Sequence, residues 1–294
     1  MADSAPAARK RIKQLEVMVA EVVRETPDTS TLVLFTGNDK LEYQPGHFLT
    51  IDPHQFPALA RWGQYLEDVK GKREKPRAYS MESAPHERYL AITIKEEAYI
   101  SGVTPYPPLL SPLLVRRTPP GTRMVITGFT GPYVMPEDIE SRTDHLVHIC
   151  AGSGVVPNWS IIKHALQNGM RLEHTLIYGN KTHEDIIYRE ALDALMAQYP
   201  GKLRVVHALS REPDAASMGP HYRQGRVSEA LLGELIHDPS AVEVFACGPG
   251  LTPFDKKRAR ETGEALQPRF LETVIESLGK LGVPKARIHH ESYG

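Results

Sequence analysis

The sequence predicts two domains: an N-terminal small antiparallel β-barrel or sandwich, the barrel being the form carried forward, and a C-terminal α/β domain on a five-stranded parallel sheet. Two observations predict this. Up to about residue 140 the chain shows short β-forming runs separated by Pro and Gly. Beyond that point, apolar strand-like runs alternate with helical stretches, the pattern of a doubly wound sheet. The length of 294 residues agrees, being about two domains of ordinary size.

The barrel strands are expected at 15–23 (LEVMVAEVV), 31–35, 48–51, 78–81, 89–94 and 122–126. In the second half, strands are expected at 146–150, 175–178, 203–209, 242–246 and 287–291. Helices are expected at 158–167, 184–199, 227–236 and 269–281. The change of pattern puts the boundary near Arg142. The resulting division is a mobile arm over 1–13, a barrel domain over 14–141 and an α/β domain over 142–294. Two segments fit neither pattern: 53–75, which carries Trp62 and ends in KGKREK, and 250–268, which carries DKKRAR. Loops longer than ~12–15 residues are uncommon and are often functional, although ordinary surface insertion is the plain alternative.

Composition excludes several classes. With 41% hydrophobic and 24% charged residues, the bulk of the chain is globular rather than disordered. The near-balance of 36 acids and 35 bases lacks the basic surplus of a general nucleic-acid binder. Cys150 and Cys247, the two cysteines, supply neither a four-thiolate zinc site nor an iron–sulfur cluster. They make no disulfide framework either, so a reducing compartment is expected. His289 and His290 are adjacent on an expected strand and point to opposite faces, so no metal site is expected there. The N-terminal MADSAPAARKRIKQ has no apolar core of signal-peptide length. No run approaches the ~20 apolar residues of a membrane span, so a cytoplasmic protein is expected.

Three motifs carry chemistry. Gly152-Ser153-Gly154-Val155-Val156-Pro157 follows a strand and opens a helix. Free N–H groups at such a turn attract a pyrophosphate, and a tight strand–helix turn explains the same glycines. Arg77-Ala78-Tyr79-Ser80-Met81-Glu82-Ser83 lies in the barrel half. It offers a phosphate ligand, a stacking ring and a hydroxyl, or else a surface Arg beside a packed Tyr. Cys247-Gly248-Pro249 ends the fourth parallel strand, where ligands of such sheets bind, yet a free Cys is commonly a small buried hydrophobe.

In this order the three resemble the ferredoxin–NADP reductase family. GHFLTI (46–51), LIYGNKTHEDIIYREAL (176–192), ALSREP (208–213), GRVSEALL (225–232), FACGP (245–249) and the closing IHHESYG add to the resemblance, which covers the chain from about Gln14. It implies a flavin-binding barrel, a pyridine-nucleotide domain, and FAD and NADPH as cofactors. It implies that Arg77 binds flavin phosphate, Tyr79 stacks on the isoalloxazine, and Ser80 hydrogen-bonds near flavin N5. Gly152, Gly154 and Pro157 would shape the nucleotide loop, and Cys247 and Gly248 would lie beside the nicotinamide. Glu291 and Tyr293 would close over the other flavin face. Ser80, Cys247 and Glu291 are thus the expected catalytic residues, and Ser83 is expected at the cofactor. The family's second phosphate element, usually Gly-x-x-Ser, corresponds to Pro108-Leu109-Leu110-Ser111, with Pro108 in place of glycine. Ser111 can still cap a helix end.

A flavin takes two electrons from a nicotinamide and releases them singly, which suits an iron–sulfur acceptor. Some relatives carry a [2Fe–2S] domain; this chain lacks the cysteines for one, so the acceptor is expected to be a separate protein, a free flavin or a small molecule, with a separate ferredoxin-like partner as the leading expectation. Many relatives are reductase components of multicomponent oxygenases. The alternatives are a flavin or quinone reductase without a dedicated partner, or a non-catalytic flavin-binding regulatory subunit. The basic Lys256–Arg260 stretch is a candidate docking site for an acidic partner, or a solvated loop. Ser210, Arg211 and Arg226 are the expected contacts to a 2′-phosphate, with Arg223 weaker and Glu212 opposing.

Overall fold

The computed structural model describes residues 13–37, 41–101 and 104–293. The arm expected at 1–13 lies outside them except for Lys13, which opens the first strand.

The first sheet contains β1 (Lys13–Thr26), β2 (Thr29–Phe35), β3 (Phe48–Ile51), β4 (Arg77–Ser80), β5 (Leu90–Lys95) and β6 (Arg123–Thr130). Their order is β4-β3-β6-β1-β2-β5, with every pairing antiparallel. A bridge from Met81 to Ile92 joins the two edges and closes the barrel, which leaves no long open edge. Alternation on β1 drives Leu15, Val17 and Val19 inward, while Glu16 stays exposed. With Leu32, Leu34, Leu49, Ile51, Ile92 and Ile126 they form the barrel core. Register shifts at Val19/Glu21 and Arg24/Thr26 bend β1, so that its first half pairs with β6 and its second half with β2.

The segment at 53–75 is not an irregular loop. It holds α1 (Ala60–Lys70), which ends on Gly71 at φ +65°, a left-handed C-cap. Two short helices, α2 (Ser111–Arg116) and α3 (Ile139–Arg142), complete the first half.

The second sheet is parallel and has six strands rather than five. It contains β7 (His145–Ala151), β8 (Glu173–Asn180), β9 (Leu203–Leu209), β10 (Tyr222–Gln224), β11 (Glu243–Pro249) and β12 (Ile288–Tyr293). The order is β10-β9-β8-β7-β11-β12. The added strand, β10, has three residues, none of them fully buried, so no apolar run announced it. Its pairing with His207–Leu209 of β9 holds it in place. The helices are α4 (Val155–Gln167), α5 (Arg189–Gln198), α6 (Glu229–Leu235), α7 (Pro253–Thr262) and α8 (Phe270–Lys280). The helix expected from 184 starts at Arg189, because a Thr182–Asp185 capping box forms a 3-10 turn and Tyr188 turns left-handed at φ +61°. The segment at 250–268 holds α7, a helix the sequence reading did not count. A second capping box, Thr252–Asp255, starts it.

Strand order reverses at β7, with β8 on one side and β11 on the other. That switch point leaves a crevice beyond the carboxyl ends of the strands. The barrel packs against the α4 side of it. Lys163 Nζ donates to Glu82 Oε1 (2.8 Å) and Glu87 Oε2 (2.7 Å), Trp159 Nε1 donates to Glu82 Oε1 (2.7 Å), and Ser160 Oγ donates to the Ser83 carbonyl (2.8 Å). Tyr188 Oη donates to Thr93 Oγ1 across the same seam. Among the described residues, no helix is long and apolar enough to cross a membrane.

Candidate active site

A cleft of about 950 Å³ lies between the sheets, at the top of the range of small-molecule sites. From β4 it takes Arg77, Tyr79 and Ser80. From the turn after β7 it takes Gly152 and Ser153, and from the far side Ser210, Arg226, Glu291 and Tyr293. The two halves of the chain therefore meet there.

Ser80, Glu291 and Tyr293 make a polar cluster on the cleft wall, with Cys247 and Cys150 behind it. Ser80 is 5% exposed, and its Oγ is hydrogen-bonded to Tyr293 Oη. Strand pairing sets Glu291 beside Cys247, and Cys247 beside Cys150. Burial pushes the Glu291 carboxyl up to about 7, against the opposing pull of a Ser80 hydrogen bond. Its Oε2 is buried without a hydrogen-bond partner among the described residues. Both thiols are fully buried, and burial raises them well above the ordinary range, so they are neutral.

Glu291 makes stability pH-dependent. Its folded value exceeds its unfolded one, so its contribution is fully present below about pH 4.5 and is lost as pH rises through about 7. Glu291→Gln should therefore raise the thermal midpoint at pH 8 more than at pH 5. The full span corresponds to about 3 kcal/mol. Equal shifts at both pH values would mean that the carboxyl titrates normally.

The glycines divide by role. A Cβ on Gly154 would stand 2.2 Å from the Cys247 carbonyl oxygen, so this glycine lets the turn pack on β11. A Cβ on Gly248 would meet the Phe270 ring at 2.6 Å. Gly152, at φ +54°, faces the cleft with open space around it, and Tyr178 Oη donates to its carbonyl (2.9 Å). Pro157 is buried in the first turn of α4.

Several expected site residues do not line the cleft. Ser83 is buried, and its Oγ bonds Tyr43 Oη (2.9 Å) and accepts from Ala91 N–H (3.0 Å), so it anchors a turn of the barrel. Ser111 opens α2, and its Oγ is used by the Glu97 N–H (3.1 Å). Gly154, Pro157, Cys247 and Gly248 lie behind the cleft wall. Arg211 is exposed at the end of β9, where its N–H donates to the Lys181 carbonyl (2.7 Å). Arg223 is held by Glu234 (2.9 Å), and Glu212 accepts from the His183 N–H (2.9 Å). His289 is engaged with Glu243 (2.8 Å).

Glu82 and Lys163 escaped the sequence reading. The signal was a lysine inside the otherwise apolar VVPNWSIIKHAL and a carboxylate inside RAYSMES. The second half of that motif joins the domains rather than lining the cleft.

The match to known proteins agrees with this architecture. Residues 148–255 match the oxidoreductase NAD-binding domain. The chain is 31% identical over 288 residues to the ferredoxin reductase component of 3-ketosteroid-9-alpha-monooxygenase from Mycolicibacterium smegmatis. That alignment covers 95% of this chain and 65% of the relative's length. Over 124 residues it is 31% identical to NADH-cytochrome b5 reductase 2 of Coccidioides immitis, covering 41% of this chain and 37% of that one. The flavohem-like FAD/NAD binding domain of nitric oxide dioxygenase from Vibrio cholerae superposes with a TM-score of 0.70 at 24% identity, covering 95% of this chain and 98% of that one. The chain therefore has the two-domain fold of ferredoxin–NADP reductase-like proteins, with an oxidoreductase NAD-binding domain over residues 148–255, and it spans just under two thirds of the length of the curated ferredoxin reductase components it matches.

Proposed function

We propose that the chain is an FAD-dependent reductase that takes hydride from NADPH and passes electrons to a separate ferredoxin-like iron–sulfur protein, as the reductase component of an oxygenase. One observation carries this reading: a single cleft gathers Arg77, Tyr79 and Ser80 of the barrel opposite Gly152, Ser210 and Arg226 of the nucleotide domain. The residues fit a flavin dinucleotide. The cleft is large enough, it has a cation at one end and a ring beside it, and the buried Glu291 Oε2 lacks a partner.

When bound, FAD would take up one hydride, which carries two electrons, and release those electrons singly. Arg77 holds its phosphate by charge-assisted bonds, and Tyr79 supplies a stacking face. The N–H groups of the Gly152 turn and the start of α4 receive the nucleotide pyrophosphate. Ser80 and Tyr293 meet at the place of the transfer and exclude water from it. Glu291, half protonated near neutral pH, holds a proton within reach of Ser80.

Identification of the cofactor in pure protein, followed by rapid mixing with NADPH, tests the reading. Fast bleaching of bound FAD is expected. A bound flavin that stays oxidised would indicate a non-catalytic subunit instead.

Electron exit is assigned to α7. Lys256, Lys257, Arg258 and Arg260 are exposed around it, a basic cluster suited to steering an acidic partner. Reversing these charges should slow ferredoxin reduction at low salt and leave ferricyanide reduction unchanged. Equal slowing with both acceptors would place the effect at the flavin or in the fold.

A further inference from the structure

We propose that the insert at 53–75 is a bracket for Arg77, with Glu74 as its positioning residue; this rests on the reading of Arg77 as the flavin-phosphate ligand. Glu74 is 6% exposed. One carboxylate oxygen accepts from Lys70 Nζ (2.5 Å), the other from Arg77 Nη2 (2.5 Å). Nη1 of the same guanidinium donates to the Lys75 carbonyl (2.7 Å). Arg77 is thus gripped at both terminal nitrogens by the end of the insert while it still lines the cleft.

The grip is anchored behind. The Glu74 N–H donates to Glu67 Oε1 (2.8 Å), which also contacts His54 Nε2 (2.8 Å). His54 Nδ1 meets Asp52 Oδ1 (2.6 Å), and Asp52 follows Ile51, the residue paired with Arg77 in the β3–β4 ladder. The chain of contacts therefore leaves β4 at Arg77, crosses α1 and returns to β3 beside its starting point. Burial alone would raise the Glu74 carboxyl, but Lys70 and Arg77 outweigh it and hold the group below its ordinary value.

Charge and entropy give the bracket its logic. Lys70 offsets the charge of Glu74, so Arg77 keeps its own for a phosphate. An arginine side chain is flexible, and holding it in place beforehand removes most of the ordering cost of binding. Positioning and simple electrostatics predict opposite signs for one variant. Glu74→Gln removes a negative charge near the phosphate, so electrostatics alone would tighten FAD binding. Loss of the bracket would weaken it.

The test titrates apoprotein with FAD and with riboflavin, which has no phosphate, following flavin fluorescence. Arg77→Ala should weaken FAD binding by about tenfold to 100-fold. Glu74→Gln should weaken FAD binding by about tenfold and leave riboflavin unchanged. The double variant should bind FAD no worse than Arg77→Ala. If Arg77→Ala weakens FAD while Glu74→Gln leaves it equal or tighter, the bracket is refuted and the Arg77 assignment stands. If Arg77→Ala has no effect, the assignment itself falls. Equal loss of FAD and riboflavin in Glu74→Gln marks a general fold defect and also refutes the bracket. Should Glu74→Gln fail to fold, Glu67→Gln loosens the same grip from one step further out and must show the same FAD-selective loss.

Discussion

The double variant Arg211→Ala, Arg226→Ala is expected to lose on the order of 100-fold or more in preference for NADPH over NADH, at about 1.5–3 kcal/mol per charged contact. NADH activity should barely change, since that substrate carries no 2′-phosphate for either guanidinium to meet. The surroundings of the site favour this outcome. Ser210 and Arg226 line the cleft at the carboxyl end of β9 and beyond β10. Glu212, the acidic residue that would favour a free ribose hydroxyl, is already engaged by the His183 N–H. Arg223 is tied to Glu234 and is not expected to contribute. Arg226 should account for most of the effect, because Arg211 stands outside the cleft lining. The measurement is kcat/KM with each nucleotide for parent, single and double variants. A parent that prefers NADH, or a double variant whose ratio stays put, overturns the assignment.

Lys163→Met is expected to destabilise the protein by about 3 kcal/mol, the lower end of the cost of breaking a buried ion pair. Lys163 is 6% exposed and pairs with Glu82 and Glu87, which are 15% and 30% exposed. Without the ammonium, both carboxylates face the domain seam uncompensated. Adding Glu82→Gln and Glu87→Gln should recover most of the loss, since neutral amides need no partner charge. Denaturant unfolding followed by tryptophan fluorescence in a Trp62→Phe background, where Trp159 at the seam is the remaining reporter, checks both steps. An unchanged midpoint in Lys163→Met would reduce these contacts to a surface ion pair. The same variant should slow flavin reduction by NADPH, because the seam sets Ser80 opposite the Gly152 turn.

The two-domain architecture was legible from local pattern. Period-two alternation on β1 and alternating strand and helix runs after residue 140 depend only on neighbouring residues, and both appear in the structure. The short β10 was not legible, because three partly exposed residues carry no pattern until β9 pairs with them. Nor were α1 and α7, whose residues are mostly exposed and so lack a clear apolar stripe.

The candidate site divides in the same way. Arg77, Tyr79, Ser80 and Gly152 could be picked out because each motif is contiguous and each residue type suits a phosphate or a ring. What Ser80 and Glu82 do was decided by contacts far along the chain. Ser80 meets Tyr293 from 213 positions away, and Glu82 meets Lys163 from 81. Gly154 is expected from the sequence to shape the nucleotide loop, and only the fold shows that a Cβ there would meet the Cys247 carbonyl oxygen. By itself the sequence determined the change from a β half to an alternating α/β half and which residue types are available for chemistry. Tertiary structure alone decided which of them reach the cleft, which join the domains and where a carboxyl titrates near 7, because burial and long-range pairing exist only once the two sheets have closed on each other.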